Sequence, residues 1–184
     1  VCSATCTGTK ARVAVKKITI DLQEESNTRR TLREIRLLRH FEHDHVMSLR
    51  DVMCNASGNH HLELYVVTDL MDTSLDRVIR SPQELSEAHV QYFTQQLLSG
   101  VSYLHSCNVL HRDLKTQNIF ITRAKDGSMS LVKLGDFGIA RCLRGRVGGD
   151  TVGATHFQTA HVMGTQCYMP PEYLRDGQLS RKVD

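Results

Sequence analysis

Four short strings in a fixed order constrain this chain more than anything else in it. They are Val13-Ala14-Val15-Lys16, then Glu34 in an arginine-rich stretch, then His111-Arg112-Asp113-Leu114-Lys115-Thr116-Gln117-Asn118, then Asp136-Phe137-Gly138. Each string carries a different chemical group: a cation, a carboxylate to hold it, an acid five residues from an amide, and a second acid. Gly138 gives that second acid backbone freedom. Taken singly, each has an ordinary reading. A strand lysine is usually solvated, an exposed Lys–Glu pair contributes under about 1 kcal/mol, and Asp and Asn are common turn formers. The ordered combination, with the octet unbroken, outweighs those readings.

The residue types suit transfer of a γ-phosphoryl group, which needs the triphosphate's charge neutralised and the acceptor hydroxyl held in line. Lys16 matches a cation for the α- and β-phosphates, and Glu34 matches its ion-pair partner. Asp113 matches the group that accepts or orients the hydroxyl proton. Asn118 and Asp136 offer hard oxygen ligands of the kind Mg²⁺ takes. These strings stand in the order of the protein-kinase signature. The chain resembles eukaryotic protein kinases over essentially all of its 184 residues.

That resemblance implies an α+β, two-lobed fold: a small β-rich lobe with one helix, and a mainly helical large lobe. Residues 1–71 correspond to the small ATP-binding lobe and hinge without its glycine-rich loop. Residues 72–184 correspond to part of the large lobe, with catalytic loop and activation segment. Val1 matches the valine after the glycine-rich loop and Asp184 the start of the large lobe's central helix. The chain therefore resembles a fragment of doubtful activity. By the same resemblance Thr68 stands at the back of the ATP pocket, and the hinge Asp69-Leu70-Met71 offers the Asp69 carbonyl and Met71 N–H to adenine. Val1, Ala14 and Phe120 sandwich the ring, with plain core packing as the alternative for each. Leu38, His111 and Phe137 look like parts of an internal spine.

Lys115 after His-Arg-Asp-Leu, and Gly164-Thr165 before the Pro-Glu pair, resemble serine/threonine kinases more than tyrosine kinases. The implied activity is ATP-dependent phosphorylation of protein serine or threonine, with Lys16, Glu34, Asp113 and Lys115 catalytic and ATP and Mg²⁺ as cofactors. Protein substrates and an upstream activating kinase are the implied partners. A non-catalytic, kinase-shaped binding module is the competing reading, and the intact Lys16, Glu34, Asp113, Asn118 and Asp136 speak against it. The stretches at 1–5, 13–18, 30–38 and 66–75 resemble mitogen-activated protein kinases, whereas 111–122 and 133–141 resemble NimA-related kinases. The Thr-x-Tyr pair of the former is absent, since Ala160 and Val162 occupy those positions. Arg33, Arg112 and Arg141 match a phosphate-binding cluster, which makes Thr159 or Thr155 the candidate phosphorylated residue. Pro170-Pro171-Glu172 departs from the usual Ala-Pro-Glu.

Periodicity supplies the coarse elements. Val13–Ile20 and Leu62–Asp69 read as strands, and Thr28–Phe41 as a helix with Leu32, Ile35 and Leu38 on one face. A second helix starts at Ser86 as N-cap, with Val90, Phe93, Leu97, Val101 and Leu104 in one apolar stripe. Val109–Leu110, Ile119–Ile121 and Leu131–Leu134 read as short strands, and Arg144–Thr155 as a loop. A net charge of +3 is too weak to argue for nucleic acid. The apolar runs are too short to argue for a membrane. Six cysteines without a Cys-x-x-Cys pair fit a reducing compartment, so cytoplasmic residence is expected, with nuclear entry left open. His43, His45, His60 and His61 read as solvated loop residues.

Overall fold

The computed structural model describes residues 1–57, 60–122, 130–143, 157–159 and 162–184. The first half of the chain builds one antiparallel sheet. Its strands are β1 (Cys2–Thr5), β2 (Arg12–Asp21), β3 (Leu49–Ser57) and β4 (His61–Asp69), in the order β1-β2-β4-β3. The β-branched run of β2 suits a central position. It pairs with β4 over nine residues, from Val13↔Asp69 to Asp21↔His61. β1 and β3 escaped the sequence reading because they are short or polar. Their described side chains, Arg50, Asp51 and Asn55 among them, are exposed except for the partly buried Leu49, so no alternating buried face marks them.

Helix α1 (Glu25–His40) packs against this sheet. It buries Thr31, Leu37 and Leu38, with Ile35 partly buried against the core, whereas Leu32 is 44% exposed. The expectation that Leu32 shares the buried face is therefore wrong. The inward face runs through Thr31, Glu34–Ile35 and Leu38, at intervals of three and four. It is set by the need to aim Glu34 at the sheet, and a threonine takes the place a hydrophobic count would give to leucine.

The second half opens with β5 (Thr73–Ser74) and α2 (Leu75–Arg80), followed by the long α3 (Glu87–Ser106). Ser86 caps α3 as expected. Its hydroxyl accepts from His89 N–H while the His89 ring returns the bond to Ser86 N–H. The apolar stripe packs inward at Phe93, Leu97, Val101 and Leu104, but Val90 at the first turn is 51% exposed. Gln96 is buried on the same helix: its amide donates to Ser130 O and accepts from Val132 N–H. Those bonds hold α3 against β8 (Leu131–Leu134), the last strand of a β5-β7-β8 sheet whose middle strand β7 is Ile119–Thr122. Two small ladders complete the fold: β6 (Val109–Leu110) with β9 (Arg141–Cys142), and β10 (Phe157–Gln158) with β11 (Gln178–Leu179). Helix α4 (Pro171–Asp176) lies between, with Pro171 at its first helical position.

The main core joins both halves, running from Leu37, Leu38 and Phe41 through Val66 to Leu104, Leu134 and Phe137. His43 and His45 belong to this junction, which corrects the solvated reading. The His43 ring stacks on Tyr103 at 4.7 Å, His45 Nδ1 stands 3.1 Å from Val132 O, and His45 O accepts from Leu134 N–H. His60 and His61 are exposed as expected, although His61 opens β4 and is not in a loop. The loop expected at 144–155, including Thr155, lies outside the described residues, as do Ala160 and His161. Among the described residues no helix is long and apolar enough to cross a membrane.

Candidate active site

A cleft of about 440 Å³ lies between the β1-β2-β4-β3 sheet and the β7–β8 strands, large enough for a nucleotide-sized ligand. Every residue expected from the sequence to bind nucleotide lines it: Val1, Ala14, Lys16, Thr68, Asp69, Met71 and Phe120. Glu34 and Asp136 line it too. Strand β2 delivers Ala14 and Lys16, which are two residues apart and so lie on the same face of the strand. Lys16 Nζ donates to Glu34 Oε1 at 2.8 Å, and the Glu34 side chain is 12% exposed. The pair links strand and helix at the cleft. Met47, Val66 and Gly135 also line it, and the sequence reading missed them. Gly135 carries no signal in isolation. A Cβ there would meet the Phe120 ring at 2.8 Å, so the aromatic side chain occupies the space a side chain would need.

The octet forms a loop between β6 and β7. Asp113 is half-buried and held from several sides. Its Oδ1 accepts from the Thr165 hydroxyl at 2.7 Å and Thr165 N–H at 3.1 Å. Its Oδ2 meets Lys115 Nζ at 2.8 Å and Asn118 Nδ2 at 2.9 Å. Burial pushes this carboxyl up, but the hydrogen bonds from Lys115, Thr165 and Asn118 outweigh it and hold the group below its ordinary value. Lys115 Nζ also donates to the Thr165 hydroxyl at 2.9 Å. Thr165 is thus a site residue that the sequence marked only as part of a family-like segment, because its partners lie 50 and 52 residues away.

Backbone strain is concentrated here. Arg112 and Asp136 have φ of 70° and 62°, a region costing non-glycine residues roughly 1–3 kcal/mol. Specific bonds hold both. Asp184 accepts from His111 N–H at 2.8 Å and Arg112 N–H at 2.7 Å, and also from His105 Nε2 at 3.0 Å. Gly135 N–H donates to Asn118 O at 3.0 Å, tying the segment before Asp136 to the octet. Arg30 Nε donates to Gly138 O at 2.9 Å. Phe137 is fully buried between Phe41 and His111, at 4.8 and 5.1 Å, and His111 Nε2 stands 2.9 Å from Gly135 O. Burial pushes the His111 imidazole well down, so it is neutral at neutral pH.

Asn118 and Asp136 fit a divalent cation by their chemistry. The Asn118 nitrogen is committed to the Asp113 side chain and carbonyl, and the amide oxygen and the exposed Asp136 carboxylate are hard oxygen donors of the kind such a cation takes. Of the three expected phosphate-binding arginines, Arg33 and Arg141 are exposed. Arg112 is buried with Nη2 3.4 Å from the Tyr173 hydroxyl. Thr159 N–H donates to Gly177 O at the end of α4.

Known proteins resemble this chain in sequence and in fold. The sequence profile of the protein kinase domain matches residues 1–184. The mitogen-activated protein kinase homolog MMK2 of Medicago sativa is 41% identical over 174 residues, which cover 95% of this chain and 43% of the relative. Extracellular signal-regulated kinase 1 of Dictyostelium discoideum is 42% identical over 176 residues, 95% of this chain and 30% of the relative. The chain spans less than half the length of these relatives. In the crystal structure of the yeast RNA Pol II CTD kinase CTDK-1 complex, one chain superposes with a TM-score of 0.78 at 29% identity, over 99% of this chain and 53% of that one. A profile matched end to end, and relatives above 40% identity that are mitogen-activated and signal-regulated kinases, agree with the two-lobed fold and the four ordered strings: this chain belongs to the protein kinase family.

Proposed function

We propose that the chain forms the core of a serine/threonine kinase that moves the γ-phosphoryl group of ATP to a protein hydroxyl. The observation that carries this reading is the Asp113 carboxylate, ionised, half-buried and oriented by Lys115, Thr165 and Asn118. In this scheme residues 1–71 form the small lobe and hinge, and residues 72–184 belong to the large lobe. Val1, Ala14 and Phe120 enclose adenine, Thr68 closes the rear, and the Asp69 carbonyl and Met71 N–H meet the base edge. Lys16, held by Glu34, meets the α- and β-phosphates. Asn118 and Asp136 hold Mg²⁺, which when bound offsets the phosphate charge. Asp113 orients the acceptor hydroxyl and takes its proton as the hydroxyl oxygen bonds to the γ-phosphorus. The bond from γ-phosphorus to the β,γ-bridging oxygen breaks, and ADP leaves with that electron pair. Lys115 stands where it can meet the transferred group's negative charge.

Serine and threonine are favoured as acceptors by Lys115 and Thr165, where the chain resembles serine/threonine kinases. The relatives are named as protein kinases, which supports protein substrates, and an upstream activating kinase is a further partner in this scheme. The expected setting is the cytoplasm, where exposed free cysteines such as Cys2, Cys6 and Cys54 stay reduced. The test is transfer of labelled γ-phosphate from Mg-ATP to an acceptor protein by the intact protein. Asp113→Asn should lower kcat by about 10²–10⁴-fold with nucleotide affinity retained, and label should appear on serine or threonine. Full activity in the variant, or label on tyrosine alone, would contradict the assignment.

A further inference from the structure

Beside the cleft stands a charge cluster that this scheme does not use. The Asp69 carboxylate, at the end of β4, accepts from Arg50 Nε on β3 at 2.6 Å and meets Lys133 Nζ on β8 at 2.8 Å. Arg50 is 63% exposed, so its pair is screened by solvent. Lys133 is different: its side chain is only 12% exposed. A lysine is seldom so covered without a counter-charge, and losing that partner would leave a charge stranded. Burial pushes the Asp69 carboxyl up, but Lys133 and Arg50 together hold it below its ordinary value, so the carboxylate stays ionised.

The placement of the pair gives it a use. Lys133 is the cross-strand partner of Phe120, so both rise from the same face of the β7–β8 ladder. Phe120 lines the cleft, and three residues beyond Lys133 the chain reaches Asp136. Asp69 leads directly into Leu70 and Met71, which also line the cleft. The ion pair therefore spans from the large-lobe strand under the cleft to the segment joining the lobes. Strand β8 is itself fixed, through main-chain bonds from Leu134 N–H to His45 O and from Met47 N–H to Leu134 O. Lys133 is thus anchored on β8, and its partner Asp69 is the last residue of the β2–β4 ladder, where the chain leaves the sheet for Leu70 and Met71.

We propose that Lys133 is a positioning residue for nucleotide recognition: through the Asp69 side chain it sets the height of the Asp69–Met71 main chain over Phe120, and so the grip on adenine. The inference rests on the assignment of the cleft to ATP, and adds to it a residue that touches no nucleotide.

The experiment measures binding of adenosine and of Mg-ATP to the intact protein by calorimetry, for wild type, Lys133→Met, Lys133→Arg and Asp69→Asn. Steady-state kinetics accompany it. Lys133→Met should weaken adenosine and Mg-ATP by the same factor, about tenfold. The KM for ATP should rise in step while kcat stays within about twofold, because the loss is uniform binding. Lys133→Arg keeps the cation and should restore most of the affinity. Asp69→Asn should act in the same direction, and the double variant Asp69→Asn/Lys133→Met should bind no worse than the weaker single, since both break one interaction. Wild-type adenosine affinity in Lys133→Met, whatever its melting temperature, would overturn the proposal and leave the kinase reading standing. If Lys133→Met fails to fold, Asp69→Asn decides on the same criterion. Failure of wild type to bind either ligand would overturn the kinase reading and this inference with it.

Discussion

At the scale of single residues, the proposed catalytic groups were legible through their order along the chain, since each taken singly has an ordinary reading. Lys16, Glu34, Asp113, Asn118 and Asp136 are polar residues beside apolar neighbours, and the fold brings them to one cleft and the loop next to it. Thr165 did not declare itself, since a threonine acquires its role only when the chain returns it to Asp113 across 52 residues. Gly135 was silent for a related reason: what demands a glycine there is the Phe120 ring, 15 positions earlier in the chain. Gly135→Ala would place a methyl 2.8 Å from that ring and 3.0 Å from Met47 Cγ, so ring or strand must shift. The expected outcome is a loss of about 1–3 kcal/mol of stability in chemical denaturation, together with weaker Mg-ATP binding. An alanine variant as stable and as tight-binding as wild type would show the packing to be slack.

At the scale of elements, hydrophobic period located β2, β4, α1 and α3, and placed Ile35 and Leu38 on the inward face of α1, but it wrongly added Leu32 to that face. The error lies in treating helix faces as set by leucines alone. In α1 the inward face is set by Glu34, and Thr31 is buried one turn before it. Leu38→Ala should therefore cost about 2–5 kcal/mol, as a core truncation does, whereas Leu32→Ala should stay near the roughly 0.5 kcal/mol scale of surface changes. Denaturant midpoints of the two variants check this, and equal losses would contradict the assigned face. Strand β3 was illegible for a different reason. It is an edge strand with exposed side chains, identified by its ladder to β4 and not by any pattern of its own.

At the scale of the molecule, the main core runs from α1 through Phe137 to α3, and a few carboxylates gather several polar partners each. Two of these, Asp69 and Asp113, have carboxyls held below their ordinary values by cationic and hydrogen-bonding partners. The sign follows from linkage. A depressed carboxylate contributes stability that is fully present above the unfolded value of about 3.9 and is lost as pH falls through the lower folded value. Acid should therefore destabilise the protein progressively below about pH 4–5, and Asp69→Asn should make that acid limb shallower. A steeper limb in the variant would contradict the sign. Most of the residues lining the cleft were legible in the sequence, but the charge cluster was not, because Arg50, Asp69 and Lys133 come from three strands with no shared motif.

The central claim, that this cleft is a magnesium–nucleotide site continuous with Asp113, is tested most directly by thermal unfolding with and without Mg-ATP. A ligand that binds only the folded state adds about 2.7 kcal/mol at a hundredfold excess over its Kd. The melting temperature of wild type should therefore climb with Mg-ATP concentration, and that of Asp136→Ala should not. A wild-type midpoint indifferent to Mg-ATP, or an equal climb in Asp136→Ala, would contradict the claim.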